Sequence, residues 1–164
     1  MKTQLDFIIN GSETKRYHTV RTISEETVGH HSHGVALFCT LLSPNPSASL
    51  LKAALLHDLA EHVTGDIPSP AKRAYGISEQ VSHREDLLMR EAGLGIPTLT
   101  GEEERILKLA DIFQGAIFCI RECEMGNLRM SEILERYMSY SQPLVKTTVE
   151  QQMYNYITDR FQSF

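Results

Sequence analysis

The sequence predicts an all-α protein made of one domain, and three observations predict it. Apolar residues recur at helical spacing, as in Val28, His31, Val35, Phe38 and Leu42. No run combines β-branched residues with clean alternation over the length of a strand. The 164 residues contain no repeat, low-complexity tract or linker, so one domain with one core over residues 1–164 is expected.

A first short helix is expected over Leu5–Ile9, ended by Asn10-Gly11 and followed by the polar connector SETKRYHTVRTISEE. A second helix starts near Glu26–Thr27 and is broken by SPNPSAS, where Pro44 and Pro46 punctuate the chain. Ser47 or Ser49 caps a third helix, expected to run through about His62. TGDIPSPAK reads as a loop, because Gly65, Pro68 and Pro70 resist helix continuation. Ser78 caps a helix over SEQVSHREDLLMREAG that Gly93 stops, and LGIPTLTG is a connector. EEERILKLADIFQGAIFCIRECEMG is a long helix ending at Gly126. NLRMSEILERYMSY and LVKTTVEQQMYNYITDRF complete the chain.

Composition narrows the function classes. Apolar residues make up 41% and charged residues 23%, as in an ordinary globular protein. With no Trp, the core is expected to be mostly Leu, Ile, Ala, Val and Met. A net charge of −5 argues against a nucleic-acid polymer as partner, which would need a basic face. A small anion needs only a few local cations. The three cysteines Cys39, Cys119 and Cys123 have no framework spacing, which suggests a reducing compartment. No stretch approaches the roughly 20 apolar residues of a membrane span, and the amino terminus lacks signal-peptide character. The cytoplasm, with no membrane partner, is the expected setting.

One segment has no place in an ordinary core helix. In ALLHDLAEHVTGDIPSP, the residues Ala54, His57, Asp58 and Glu61 stand at i, i+3, i+4 and i+7, and Asp66 follows on a Gly turn. Burying a carboxylate on such a face demands a partner. His31 lies on the apolar stripe of the preceding helix, where a lone His is usually a hydrogen-bonded core residue. Asp111 repeats the oddity beside Leu107, Gly115 and Phe118. One divalent ion explains these residues together. His31, His57, Asp58 and Asp111 form a mixed nitrogen and oxygen set suited to Mn²⁺, Co²⁺, Ni²⁺, Zn²⁺ or Fe²⁺. Glu61, one turn away, is placed to handle a proton.

The stretches TVGHHSHGVA, LLHDLAEHVTGDIPSPAK and LKLADIF resemble the HD-domain phosphohydrolases, over roughly Arg16 to Phe118. Within that family they look like the YfbR-type deoxynucleotidases and the compact phage dATP triphosphohydrolases known as DatZ. The resemblance implies metal ligation by His31, His57, Asp58 and Asp111, and catalytic roles for Glu61 and Asp66. It implies phosphate contacts from Arg16 and Lys72, and a sugar contact from Tyr17, where the family usually carries Trp. His30 stands where the YfbR type is usually acidic. His18 and Thr19, beside this site in sequence, are expected near the base. The short span between Asp58 and Asp111 favours the triphosphohydrolase branch. The expected reaction is therefore hydrolysis of dATP to deoxynucleoside and tripolyphosphate, serving a phage nucleotide pool. A 5′-deoxynucleotidase and a non-catalytic nucleotide sensor are the alternatives.

Cys119 and Cys123 have a spacing that could bind metal, but their apolar helix favours core packing. Met125, Met130, Met138 and Met153 read as core or subunit-contact residues. Tyr137, Tyr140, Tyr154, Tyr156, Phe161 and Phe164 gather aromatic surface near the carboxyl end, where a homo-oligomer contact is expected.

Overall fold

A computed structural model describes residues 2–163. Among these residues it is all-α, with one isolated antiparallel bridge between Lys15 and Thr27. Phe164, expected in an oligomer contact, lies outside the described residues.

Helix α1 spans Lys2–Glu13 and runs through the expected stop at Gly11. A Cβ at Gly11 would lie 2.6 Å from the Leu59 carbonyl oxygen. This glycine therefore permits close approach of α1 to the turn at residues 57–60 rather than ending a helix. Residues 14–28 then return on themselves. Arg16 N donates to Glu26 O at 2.9 Å, and Val28 N donates to Thr14 O at 2.9 Å.

Helix α2, Val28–Leu42, begins behind Thr27, whose side chain accepts from His30 N. Helix α3, Ala48–Leu56, is capped by Ser47. It does not continue to His62. His57 Nδ1 takes up Ala54 O at 2.9 Å, the carbonyl that Asp58 N would use in a continued helix. The chain tightens into i→i+3 bonds, Leu59 N to Leu56 O at 3.1 Å and Glu61 N to Asp58 O at 3.0 Å. Helix α4, Glu61–Thr64, follows this turn.

The expected loop contains helix α5, Ser69–Ala74. Pro70 sits in its first turn, where a missing N–H costs nothing, so here it starts a helix. Helix α6 spans Ser78–Glu91; Ser78 is its first residue rather than its cap, and Gly93 turns the chain at φ +72. Helix α7, Gly101–Glu124, carries a Thr100–Glu103 capping box. Helices α8, Ser131–Ser141, and α9, Thr148–Phe161, close the chain.

Helix α7 is the central rod and packs against α2, α3, α8 and α9. Its Leu109, Phe113, Ala116, Cys119 and Ile120 join Val35, Cys39 and Leu50 in the main core. Cys39, Cys119 and Cys123 are all free and buried there, and Cys119 and Cys123 are in core packing as expected. A smaller cluster of Val28, Leu59, Ala60 and Met89 joins α6 and the 57–60 turn to α1 and α2. Arg105 bonds buried Glu150 at 2.8 Å and ties α9 to α7. Glu122 accepts from Ile23 N at 2.7 Å and Ser24 N at 2.8 Å, which pins the connector before α2.

Met130 and Met138 are core residues, whereas Met125 is exposed past the end of α7. Tyr154 and Phe161 pack on the core, while Tyr140 and Tyr156 are exposed. Among the described residues, no helix is long and apolar enough to cross a membrane.

Candidate metal centre

The site lies where the main core meets the smaller cluster. Helix α2 contributes His31, fully buried by Val28 and Val35 on the same stripe. The tight turn after α3 contributes His57 and Asp58. The middle of α7 contributes Asp111.

One ligand atom each from His31, His57 and Asp58 lies within 4.8 Å of the others. His31 Nε2 is 3.5 Å from Asp58 Oδ2 and 3.2 Å from Asp111 Oδ1. His57 Nε2 is 3.4 Å from Asp58 Oδ1. Both Nδ1 atoms are engaged, His31 with Gln114 Oε1 and His57 with Ala54 O. Both Nε2 atoms are buried and lack a hydrogen-bond partner. Buried polar atoms are rarely left so. Two converging bare imidazole nitrogens beside carboxylates are what a divalent cation requires, so the residues present fit one.

The charges respond to one another. Burial works to raise the Asp58 carboxyl, but His57, Arg16 and His31 outweigh it and hold it below the ordinary value. Burial also works against the Asp111 charge, yet Lys108 and His31 keep that group well below the usual range. Glu61 goes the other way. Burial first, then the Asp58 and Asp66 charges, push it up to about 9. Its Oε2 is buried without a partner, and Lys72 Nζ is 3.9 Å from its Oε1.

The other expected residues are distributed around this centre. Arg16 Nη1 donates to Asp58 Oδ2 at 2.7 Å, and its Nε is 3.3 Å from Glu26 Oε2. Tyr17, held at φ +56, stacks on Phe118 at 4.7 Å and shares a 3.0 Å hydroxyl contact with Tyr137. An open cleft of about 580 Å³ is lined by Lys15, His18, Glu61, His62 and Asp66, among others. Thr19 is exposed and does not line that cleft. Lys72 also stands 3.9 Å from Glu85 Oε1, midway between two carboxylates.

Four site residues escape the sequence reading: Glu26, Glu85, Gln114 and Tyr137. Gln114 and Asp111 are three apart on α7, a spacing that marks a shared face. Tyr137 fills the space beside Gly115, where a Cβ would lie 2.7 Å from its Cζ. Nothing in the local pattern marks Glu26 or Glu85.

The profile of the HD domain matches residues 12–118, which include His31, His57, Asp58, Glu61 and Asp111. The chain belongs to the HD-domain phosphohydrolase family. A 5′-deoxynucleotidase, yfbR, from Photorhabdus temperata is 31% identical over 136 residues, 68% of this chain and 69% of that one. Two solved structures share the HD fold. The HD phosphohydrolase DatZ of cyanophage S-2L, solved with dA and one catalytic Zn²⁺, superposes with a TM-score of 0.66 at 19% identity, covering 97% of this chain and 96% of that one. The PH0347 protein from Pyrococcus horikoshii OT3 gives 0.76 at 18% identity, covering 98% and 99%. The histidine and aspartate cluster and the family together support a divalent metal in this HD domain.

Proposed function

We propose that the chain is a metal-dependent deoxynucleotide phosphohydrolase, acting on a deoxynucleoside triphosphate, dATP first, and releasing deoxynucleoside and tripolyphosphate. The observation that carries the metal chemistry is the pair of buried, unpartnered Nε2 atoms of His31 and His57 converging on Asp58. The cyanophage S-2L HD phosphohydrolase with bound dA superposes on this chain over nearly the full length of both, which supports a deoxyadenosine nucleotide as substrate, and the short span between Asp58 and Asp111 favours the triphosphate.

His31, His57, Asp58 and Asp111 would hold the ion. When bound, it supplies Lewis-acid polarisation of a phosphoryl oxygen and a water of lowered pKa. The chain's own groups do the rest. Glu61, pushed up to about 9, keeps its proton near neutral pH and gives it to the departing 5′ oxygen. A water adds to the phosphorus nearest the sugar and loses a proton to solvent, the bond from phosphorus to the 5′ oxygen breaks, that oxygen takes the proton of Glu61, and the Glu61 carboxylate regains one from solvent. Asp66, on the cleft that Glu61 lines, holds the sugar 3′ hydroxyl. Tyr17, stacked on Phe118, walls the deoxyribose. His18, which lines the same cleft, takes the base side. Lys72 offsets phosphate charge as a point charge, and Arg16, whose Nη1 bonds Asp58, offers the rest of its guanidinium to phosphate. Lys72 is poised for this because neither carboxylate at 3.9 Å holds it within hydrogen-bonding distance.

A second reading, hydrolysis of deoxynucleoside monophosphates to deoxynucleoside and phosphate, is favoured by the 31% identical deoxynucleotidase. One experiment separates the two. Protein stripped of metal and reloaded with Co²⁺, Mn²⁺, Zn²⁺ or Ni²⁺ is incubated with each dNTP and dNMP, and the products are resolved by chromatography. Deoxyadenosine with tripolyphosphate is expected from dATP, with little turnover of dAMP. Phosphate released from several dNMPs would move the assignment to the second reading. No product with any metal would reject both.

A further inference from the structure

His57 fixes its own ring through the Ala54 carbonyl of α3, but His31 relies on residues far from it in sequence. His31 Nδ1 meets Gln114 Oε1. Gln114 Nε2 donates to Glu26 Oε1 at 2.7 Å. Glu26 Oε2 faces Arg16 Nε at 3.3 Å, and Arg16 Nη1 returns to Asp58 at 2.7 Å. The path closes on the metal cluster at both ends. It also has a direction. A carboxylate beside an arginine only accepts, so the Gln114 amide must turn its NH₂ to Glu26 and its oxygen to His31. That oxygen only accepts in turn, so His31 Nδ1 must carry a proton, which leaves Nε2 as the ring nitrogen a cation can take. Gly34 makes room for the relay, since a Cβ there would lie 2.7 Å from Gln114 Cγ.

We propose that Gln114 and Glu26 are positioning residues that lock His31 in its Nδ1-protonated tautomer and thereby present Nε2 to a divalent cation. The proposal rests on the metal reading of the site, and it assigns Gln114 and Glu26 no contact with substrate.

The test uses ¹⁵N-histidine-labelled, metal-free full-length protein, with tautomers read from long-range ¹H–¹⁵N correlation spectra. The wild type should show His31 protonated at Nδ1. Gln114→Leu should give a mixed or reversed His31 tautomer while His57 stays unchanged as an internal reference. Gln114→Glu keeps an acceptor and should keep the tautomer. Co²⁺ titration followed by visible absorption should show Gln114→Leu binding about 10–100-fold more weakly than wild type. If Gln114→Leu does not fold, Glu26→Gln carries the test, because an amide facing an amide no longer sets the direction. A wild-type His31 protonated at Nε2, or a folded Gln114→Leu with unchanged tautomer and Co²⁺ affinity, would overturn the relay. The expected tautomer in a wild type that binds no Co²⁺ would overturn the metal reading instead.

Discussion

His31 and His57 face each other with ring centroids 5.4 Å apart, yet the walls that carry them are built differently. The His31 wall is two long helices, α2 and α7, packed into the main core. The groups that orient its ligand form a chain: His31 meets Gln114, Gln114 donates to Glu26 at 2.7 Å, and Glu26 stands 3.3 Å from Arg16 as an ion pair. The His57 wall is a tight turn followed by the short helices α4 and α5, resting on the smaller cluster around Leu59 and Met89. It carries the loosely held groups: Glu61 with an unpartnered Oε2, and Lys72 at 3.9 Å from two carboxylates. The difference separates two tasks. A metal needs ligands held still, whereas proton transfer and phosphate binding need groups whose partners are still to arrive.

Asp58 touches both walls, so its removal should have the largest effect. Asp58→Ala is expected to lose bound metal by elemental analysis and to lose kcat/KM by about a thousandfold, near 4 kcal/mol of transition-state stabilisation. Retained metal with retained turnover would show that the walls do not meet at one ion. Glu61→Gln sharpens the contrast from the other side. Metal content should stay at the wild-type level while kcat falls by about 10²–10⁴-fold. Full turnover would remove Glu61 from the proton step.

The same residue sets a pH dependence. Glu61 binds its proton more tightly folded than unfolded, because burial raises it from 4.5 to about 9. Its contribution to stability is full below about pH 4.5 and is lost as pH rises toward about 9. Metal-free wild type should therefore lose denaturant stability across that range relative to Glu61→Gln; parallel curves would contradict the burial argument. A smaller effect is expected at Gly115. Gly115→Ala drives a methyl to within 2.7 Å of the Tyr137 ring and should cost about 1–3 kcal/mol in urea unfolding, while metal content is unchanged.

The two walls also differ in how legible they were. The long helices announce themselves by apolar rows with hydroxyl caps, and Thr27 and Thr100 start α2 and α7 close to where the pattern changes. His31 and Asp111 stand out because each interrupts such a row. The turn wall hides its geometry. The residue spacing predicts a helix through Glu61, whereas His57 Nδ1 competes for the Ala54 carbonyl and tightens the chain. In sequence Pro70 reads as a breaker and Gly11 as a stop, whereas in the fold Pro70 starts a helix and Gly11 is a close contact. The Gln114–Glu26 bond joins residues 88 apart, and no local pattern encodes it. Arg16 reads as a phosphate cation in sequence, while in the fold it already bonds Asp58.

The central claim is that one ion joins the two walls. Crystals grown with Zn²⁺ and measured at the zinc absorption edge test it most directly. A single anomalous peak is expected within bonding distance of His31 Nε2, His57 Nε2 and Asp58, with Asp111 facing it from α7. The absence of a peak there, or a peak held by residues from only one wall, would contradict it.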